Sequence, residues 1–276
     1  MDQPRISVVT PSLNQAEFLE QNIRSVLSEG YPDLEHIVVD GGSTDASIEV
    51  LRKYGHLVWT SGPDGGQSDA LNRGFRKCTG DIVGWLNSDD TYCPGVFGHV
   101  LRAFNDPAVM VVCGDGYEID RRGNIVKNLN GSVVDPRDII PYWRWKYAFV
   151  QPSFFFRRTV FDSIGYLDER LHFAMDYDFL VRCGLRYPIR YLSVPLANLR
   201  LYDESKTGRE ISSPVPAYIR EMHTVSFRHW GGPADPRFYG YALSFLAAIA
   251  GSFVKNLLLF PGSKSRRALQ NVVSRR

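Results

Sequence analysis

Asn87, Asp89 and Asp90 crowd into four positions of the stretch GWLNSDDTYCPG, where a buried-strand pattern turns polar. Two carboxylates about 4 Å apart repel by roughly 4 kcal/mol at an effective dielectric near 20, so the pair calls for a cation, a shared proton or solvent. Oxygen-only ligands suit Mg2+ or Mn2+, ions that take few protein carboxylates and complete their shells with phosphate and water. The pair is also compatible with Asp90 capping a turn or the helix of PGVFGHVLRAF while Asp89 is merely solvated. Asp40 ends another strand pattern beside GGSTD, where an acid can accept from a ribose or a base N–H, or cap the helix of TDASIEVL.

Other chemistries lack their signatures. TPSLNQAEF stands where a dinucleotide site would place GxGxxG, and neither GxxxxGK[ST] nor GxSxG occurs. The histidines show no HExxH pairing.

The elements that must position these acids alternate. RISVVTP, HIVVDGGSTD, LVWTSGPDGG and DIVGWLNSDD read as strands, separated by helical patterns around AEFLEQNIRSVLSEG, ASIEVLRKYG and QSDALNRGFRKCTG. That order predicts βαβ units in a largely parallel sheet, with strand ends at Thr10, Asp40, Gly62 and Asn87 sharing one crevice. From VMVVCGDGYEIDRRGNIV onward the period becomes hairpin-like with an RRGN turn, FVQPSFFFRR reads as a buried strand, and DYDFLVRCGLRY as a helix. The fold class expected is therefore α/β, a mixed sheet flanked by helices with a C-terminal helical tail. Residues 1–211 would form the main domain, its halves meeting near residues 95 and 96, and residues 212–276 the tail.

A chain of 276 residues with 44% hydrophobic content can bury a sizeable core. The formal net charge of +2 hides an asymmetry, because no Asp or Glu follows Asp235 while seven Lys or Arg do. An acidic body with a basic tail disfavours nucleic acid as a partner, whereas an anionic membrane surface suits the tail. Leu246, Ile249, Phe253, Leu257 and Phe260 recur at helical spacing, predicting a helix that packs on the body or lies in a membrane interface. Four cysteines without CxxC spacing, and no apolar run after Met1, point to a reducing, cytoplasmic setting.

VVTPSLNQAEFLEQNIRSVL, HIVVDGGSTDAS, GPDGGQSDALNRGF and GDIVGWLNSDD resemble, in order and spacing, the nucleotide-sugar half of family 2 glycosyltransferases, inverting enzymes of the Rossmann-type GT-A fold. The later QPSFFFRR, MDYDFLVR and LRLYDESKT resemble that family's acceptor-side motifs, so the likeness runs from Arg5 to Thr207. The resemblance implies a metal-dependent inverting transfer from a nucleotide-sugar donor to a saccharide or lipid-linked acceptor, in polysaccharide or glycoconjugate synthesis at the inner face of the cell membrane. It implies that Asp89 holds Mn2+ or Mg2+ and that Asp176 is the base. Donor contacts would come from Thr10, Pro11, Asp40, Asp64, Gln67, Asn72, Asn87, Ser88 and Arg200. Gln151, Trp143 and Trp145 are candidate acceptor contacts, with a buried amide and an aromatic core as the alternatives. A histidine is usual in the family where Tyr202 stands, and an acid where Asn87 stands, so one direct protein carboxylate on the metal is expected. Two rival readings are a sugar nucleotidyltransferase, whose glycine-rich basic loop VVTPSLNQ lacks, and a non-catalytic carbohydrate-binding relative.

Overall fold

The computed structural model describes residues 3–131, 139–144, 149–206, 208 and 217–259. Among them, β1 (Ile6–Ser12), β2 (Leu34–Asp40), β3 (Val58–Ser61) and β4 (Ile82–Trp85) pair in parallel in the order β3-β2-β1-β4. The helices α1 (Ala16–Leu27), α2 (Ser47–Arg52) and α3 (Gln67–Lys77) connect them. Every residue of β1 is buried, as a central strand covered on both faces requires. Alternate side chains part company: Val9, Ile37, Val39, Val83 and Trp85 enter one core, whereas Ile6, Val8, Ile82 and Leu86 enter another. Fully burying each aliphatic side chain stabilises by roughly 1.5–3 kcal/mol, so the strand order is set by the apolar faces.

Register brings the strand ends together. Ser12 lies opposite Asp40, and Asp40 opposite Ser61, along the carboxyl edge of the sheet. Gly66, with φ of 109°, turns the chain from that edge into α3, a conformation other residues rarely adopt.

The second half adds β5 (Thr91–Tyr92), α4 (Val96–Phe104), β6 (Val111–Ile119), β7 (Ile125–Leu129), β8 (Phe155–Arg157), α5 (Thr159–Ile164), α6 (Met175–Arg186) and β9 (Ile189–Arg200). The antiparallel β8 joins β4 to β6, β6 runs parallel to β9, and β7 returns on β6 through the expected RRGN turn. The strand read in FVQPSFFFRR is shorter than its pattern. Gln151–Ser153 form a 3-10 turn instead, in which the Ser153 hydroxyl satisfies the carbonyls of Val150 and Gly114. Proline at its second position cannot donate to a ladder.

The tail folds as α7 (Ala217–Arg228) and α8 (Pro236–Leu259). Val225, Trp230 and Tyr241 join the same core as Val9 and Trp85, with Phe238, Ala242 and Phe245 packed against it. Leu246 is 61% exposed, on the other side of α8 from that face. The side chains of Ile249, Phe253 and Leu257, and Phe260 altogether, lie outside the described residues.

Candidate active site

Beyond β4 the chain turns tightly, the Asp90 N–H donating to the Asn87 carbonyl at 3.0 Å. Asn22, fully buried on α1, clamps this turn by donating to the carbonyls of Asn87 and Asp90 at 2.8 and 3.0 Å. The two acids then diverge. Asp90 is 1% exposed, and its oxygens accept the Arg200 N–H and the Asn87 amide at 2.8 and 3.2 Å. It does not cap α4, because Glu29 accepts the Gly95 and Phe97 N–H groups there. Asp89 keeps some exposure and lies within the influence of the Tyr202 hydroxyl, which opposes the effect of burial on its pKa. Burial raises the pKa of both carboxyls, that of Asp90 well above the ordinary range, where the Asp89 charge adds to the effect.

Asn87 is an amide for a reason. Its oxygen accepts the Gln67 amide and the Trp85 indole at 3.0 and 2.9 Å, while its nitrogen donates to Asp90 and to Gln151 at 3.2 and 2.9 Å. A carboxylate has no hydrogen to give, so an acid here would leave two acceptors facing each other. Gln151 in turn donates to the Trp85 carbonyl at 3.2 Å, and Ser88 is buried beside this network.

At the neighbouring strand ends, Asp40 accepts the N–H groups of Gly42 and Ser43 and the hydroxyls of Ser43 and Ser61, which builds the GGS turn. Gly41 touches Asp64: a Cβ there would fall 2.7 Å from the Asp64 carboxylate. Asp64 and Asp69 cap the Gly66 and Gly65 N–H groups and shape the loop into α3. Thr10 is fully buried, its hydroxyl 3.0 Å from His36 Nε2, and Pro11 is buried beside it, so neither side chain is exposed at this strand end.

Two residues of the expected donor set stand apart. Asn72 is 1% exposed and bonded to Leu167 and Glu169, docking α3 on the segment before α6. Arg200 is 4% exposed and gives four of its five guanidinium hydrogens to the carbonyls of Asp89, Asp120 and Arg121 and to Gln21, so it is held as a buried brace of the turn.

The loop after β9 supplies the cation instead. Lys206 donates to Gln67 at 2.9 Å and lies in the field of Asp176. Asp176 sits in the first turn of α6, past the cap position at Ala174, and burial raises its pKa to about 6 against the opposing effects of the Tyr177 N–H, which donates to it at 2.7 Å, and of the Lys206 charge. Asp178 points away and pairs with Arg182 at 2.8 Å. Trp143 donates to Ser244 and packs among Tyr142, Trp230 and Phe245, following the aromatic-core alternative, and Trp145 lies outside the described residues.

Sequence reasoning overlooked Asn22, the Trp85 indole and Arg121. Arg121 bridges Glu17 and Glu204 at 2.7 and 2.9 Å and lies over the Tyr202 ring, tying the loop to α1. Partners so distant in the chain leave no local pattern. Cavities of about 330 and 620 Å3 share Arg170 and Arg228, and neither includes Asp89 or Asp176. Side-chain arrangement, not cavity size, therefore locates the site.

No group of three His, Cys, Asp or Glu among the described residues could enclose a metal ion. A partly exposed carboxylate such as that of Asp89 nonetheless fits Mg2+ or Mn2+ when phosphate and water complete the shell.

Residues 7–165 match the family described as Glycosyl transferase family 2. An uncharacterized glycosyltransferase of Mycobacterium tuberculosis is 30% identical over 186 residues, 66% of this chain and 70% of that one. The O-antigen biosynthesis protein RfbC of Myxococcus xanthus is 28% identical over 207 residues, 72% of this chain and 16% of that one. S. aureus TarS, solved in complex with UDP-GlcNAc, superposes with a TM-score of 0.68 at 19% identity, covering 95% of this chain and 77% of that one. A mannosyltransferase from Pyrobaculum calidifontis, solved with GDP-Man and Mn2+, gives 0.63 at 19% identity, covering 99% and 80%. At such identities the structural likeness shows a shared GT-A-like fold.

Proposed function

Because the chain belongs to glycosyltransferase family 2, we propose that it moves a sugar from a nucleotide-sugar donor to a hydroxyl of a saccharide or lipid-linked acceptor, with inversion. One observation carries this reading: a single short loop touches both acids. Tyr202 interacts with Asp89, and Lys206 lies in the field of Asp176. Tyr202 and Lys206 are four residues apart, a backbone span of at most about 14 Å, which supports a reading in which donor-side and acceptor-side carboxylates face one cleft.

In the proposed reaction Asp176 takes the proton of the acceptor hydroxyl as its oxygen attacks the anomeric carbon. The bond from that carbon to the diphosphate breaks on the opposite face, the nucleoside diphosphate leaves, and the configuration inverts. Lys206 places positive charge near the departing phosphate, and Gln67 holds the ammonium. Asp89 would hold Mn2+ or Mg2+, which when bound supplies Lewis-acid neutralisation of the diphosphate.

A thermal-shift panel of nucleotide sugars with Mn2+ tests the donor class. A ligand at 100 times its Kd adds about 2.7 kcal/mol, which should raise Tm by several degrees. Absence of any rise across the panel, or pyrophosphate release from sugar 1-phosphate and NTP, would refute the reading.

The O-antigen relative favours a role in polysaccharide synthesis. We place the enzyme on the cytoplasmic face of the membrane, peripherally. No helix of the described residues is long and apolar enough to cross a membrane. Tyr239, Leu243 and Leu246 are 55, 69 and 61% exposed on one stripe of α8, in a stretch free of acids after Asp235. Flotation should recover the protein with phosphatidylglycerol vesicles and not with phosphatidylcholine alone. The Leu243→Glu, Leu246→Glu double variant should stay at the bottom; if it floats like the wild type, the stripe is not the contact.

A further inference from the structure

We infer that Glu221, on α7 beyond the family-matched residues, is a positioning residue that sets the carboxylate of Asp176 through the 172–174 strap. The inference rests on Asp176 being the proton acceptor. The Glu221 carboxylate accepts three successive backbone N–H groups: His172 at 3.0 and 3.2 Å, Phe173 at 2.7 Å and Ala174 at 3.0 Å. Successive amides converging on one anion form a nest. Ala174 occupies the cap position of α6 and has no side-chain cap of its own, so these amides would otherwise be orphaned. Glu221 thus satisfies, from 49 residues away, the amides that lead into the helix. The Tyr177 N–H, which an N-cap side chain ordinarily takes, donates to Asp176 itself at 2.7 Å.

The same strap is fastened on its other side. Ser68, next to Gln67, donates to the Leu171 carbonyl at 3.0 Å, and Arg228 of α7 reaches Asp168 at 3.1 Å. Asp176 follows the nest by two residues. The Phe173 ring, inside the strap, lies 5.2 Å beneath the Lys206 ammonium, so the strap places the cation as well as the acid. Lys206 feels the charges of both Asp176 and Glu221, and Glu221 shares a cavity wall with Arg170, Arg220 and Arg228. Releasing the strap would move the base relative to a donor loop that stays anchored. A misplacement of about 1 Å in such geometry can cost on the order of 100-fold in rate.

The test titrates the Asp176 carboxyl by 13C NMR, its signal assigned by loss in Asp176→Asn. In the wild type the midpoint should lie about 6. In Glu221→Ala the opened strap should admit water and lower it by about one unit or more, since desolvation is what raised it. In Glu221→Gln, whose amide oxygen still accepts from the strap, it should return close to the wild-type midpoint. Turnover of the donor found by the panel should follow, kcat falling at least tenfold in Glu221→Ala with donor KM within about twofold, and recovering in Glu221→Gln. An unchanged midpoint in folded Glu221→Ala overturns the inference, as does a Gln variant as impaired as the Ala one. Should Glu221→Ala fail to fold, Glu221→Asp, one methylene short of the nest, must lower the midpoint, and an unmoved midpoint overturns the inference equally. Normal turnover by Asp176→Asn would instead sink the base assignment, whatever the Glu221 titrations show.

Discussion

Asp176→Asn is expected to bind donor as the wild type does and to lose transfer by about 100- to 10,000-fold, the range over which a positioned base contributes. Burial raises the Asp176 carboxyl to about 6, so the base is mostly ionised at neutral pH and still basic enough to draw a proton in the transition state. The rate should therefore fall as pH drops through about 6, where the carboxylate takes up its proton. The sign for stability is opposite to that of a salt-bridged acid. A folded-state pKa above the unfolded value means that the ionised form is disfavoured by folding, so stability is lost as pH rises from the ordinary value of 3.8 and the cost is complete above about 6. Asparagine removes the charge that burial penalises, and Tm at neutral pH should be equal or higher. An inactive variant with an unchanged or raised Tm separates chemistry from folding; normal kcat in the purified variant would refute the role.

Asp89→Asn should abolish the extra thermal stabilisation that Mn2+ adds to a bound nucleoside diphosphate. Neutralising developing phosphate charge is worth several kcal/mol, and each 1.36 kcal/mol is tenfold in rate, so turnover should fall by about 1,000-fold. The fold should survive, because the Asp89 side chain keeps some exposure and the neutral amide in its place can still interact with the Tyr202 hydroxyl. Asp90→Asn is the informative contrast. There the loss falls on folding, since the Arg200 N–H and the Asn87 amide both address the Asp90 carboxylate and an amide nitrogen faces a donor in one of those places. Retained Mn2+-dependent stabilisation in Asp89→Asn would eliminate this residue as the cation ligand.

Much of the architecture is legible in short stretches. The alternating apolar runs of β1, β2 and β4, the helical spacing between them and the RRGN turn each report the local geometry that follows. The unequal duties of Asp89 and Asp90 are legible in part, because the departure at Asn87 can be read. The reason for it cannot: Asn87 must donate to Asp90 and to Gln151, the latter 64 residues away. Arg200 illustrates the opposite case. A basic residue in a loop that resembles a phosphate-holding segment reads as a donor contact, yet its guanidinium is spent on three carbonyls and Gln21.

By itself the sequence determined the strand and helix periods, the strand-end placement of the acids and the family. These depend on side-chain alternation and turn chemistry, which act between residues near in the chain. Only the tertiary structure decided which acid is spent and which stays open, that Lys206 rather than Arg200 lies in the field of Asp176, and that the tail reaches back to α6. Each is a question of partnership across the chain, 110 residues for Arg200 and Asp90 and 49 for Glu221 and His172. A buried polar group is silent until folding supplies its partner, because desolvation penalises it and the partner's geometry alone settles what remains free to act.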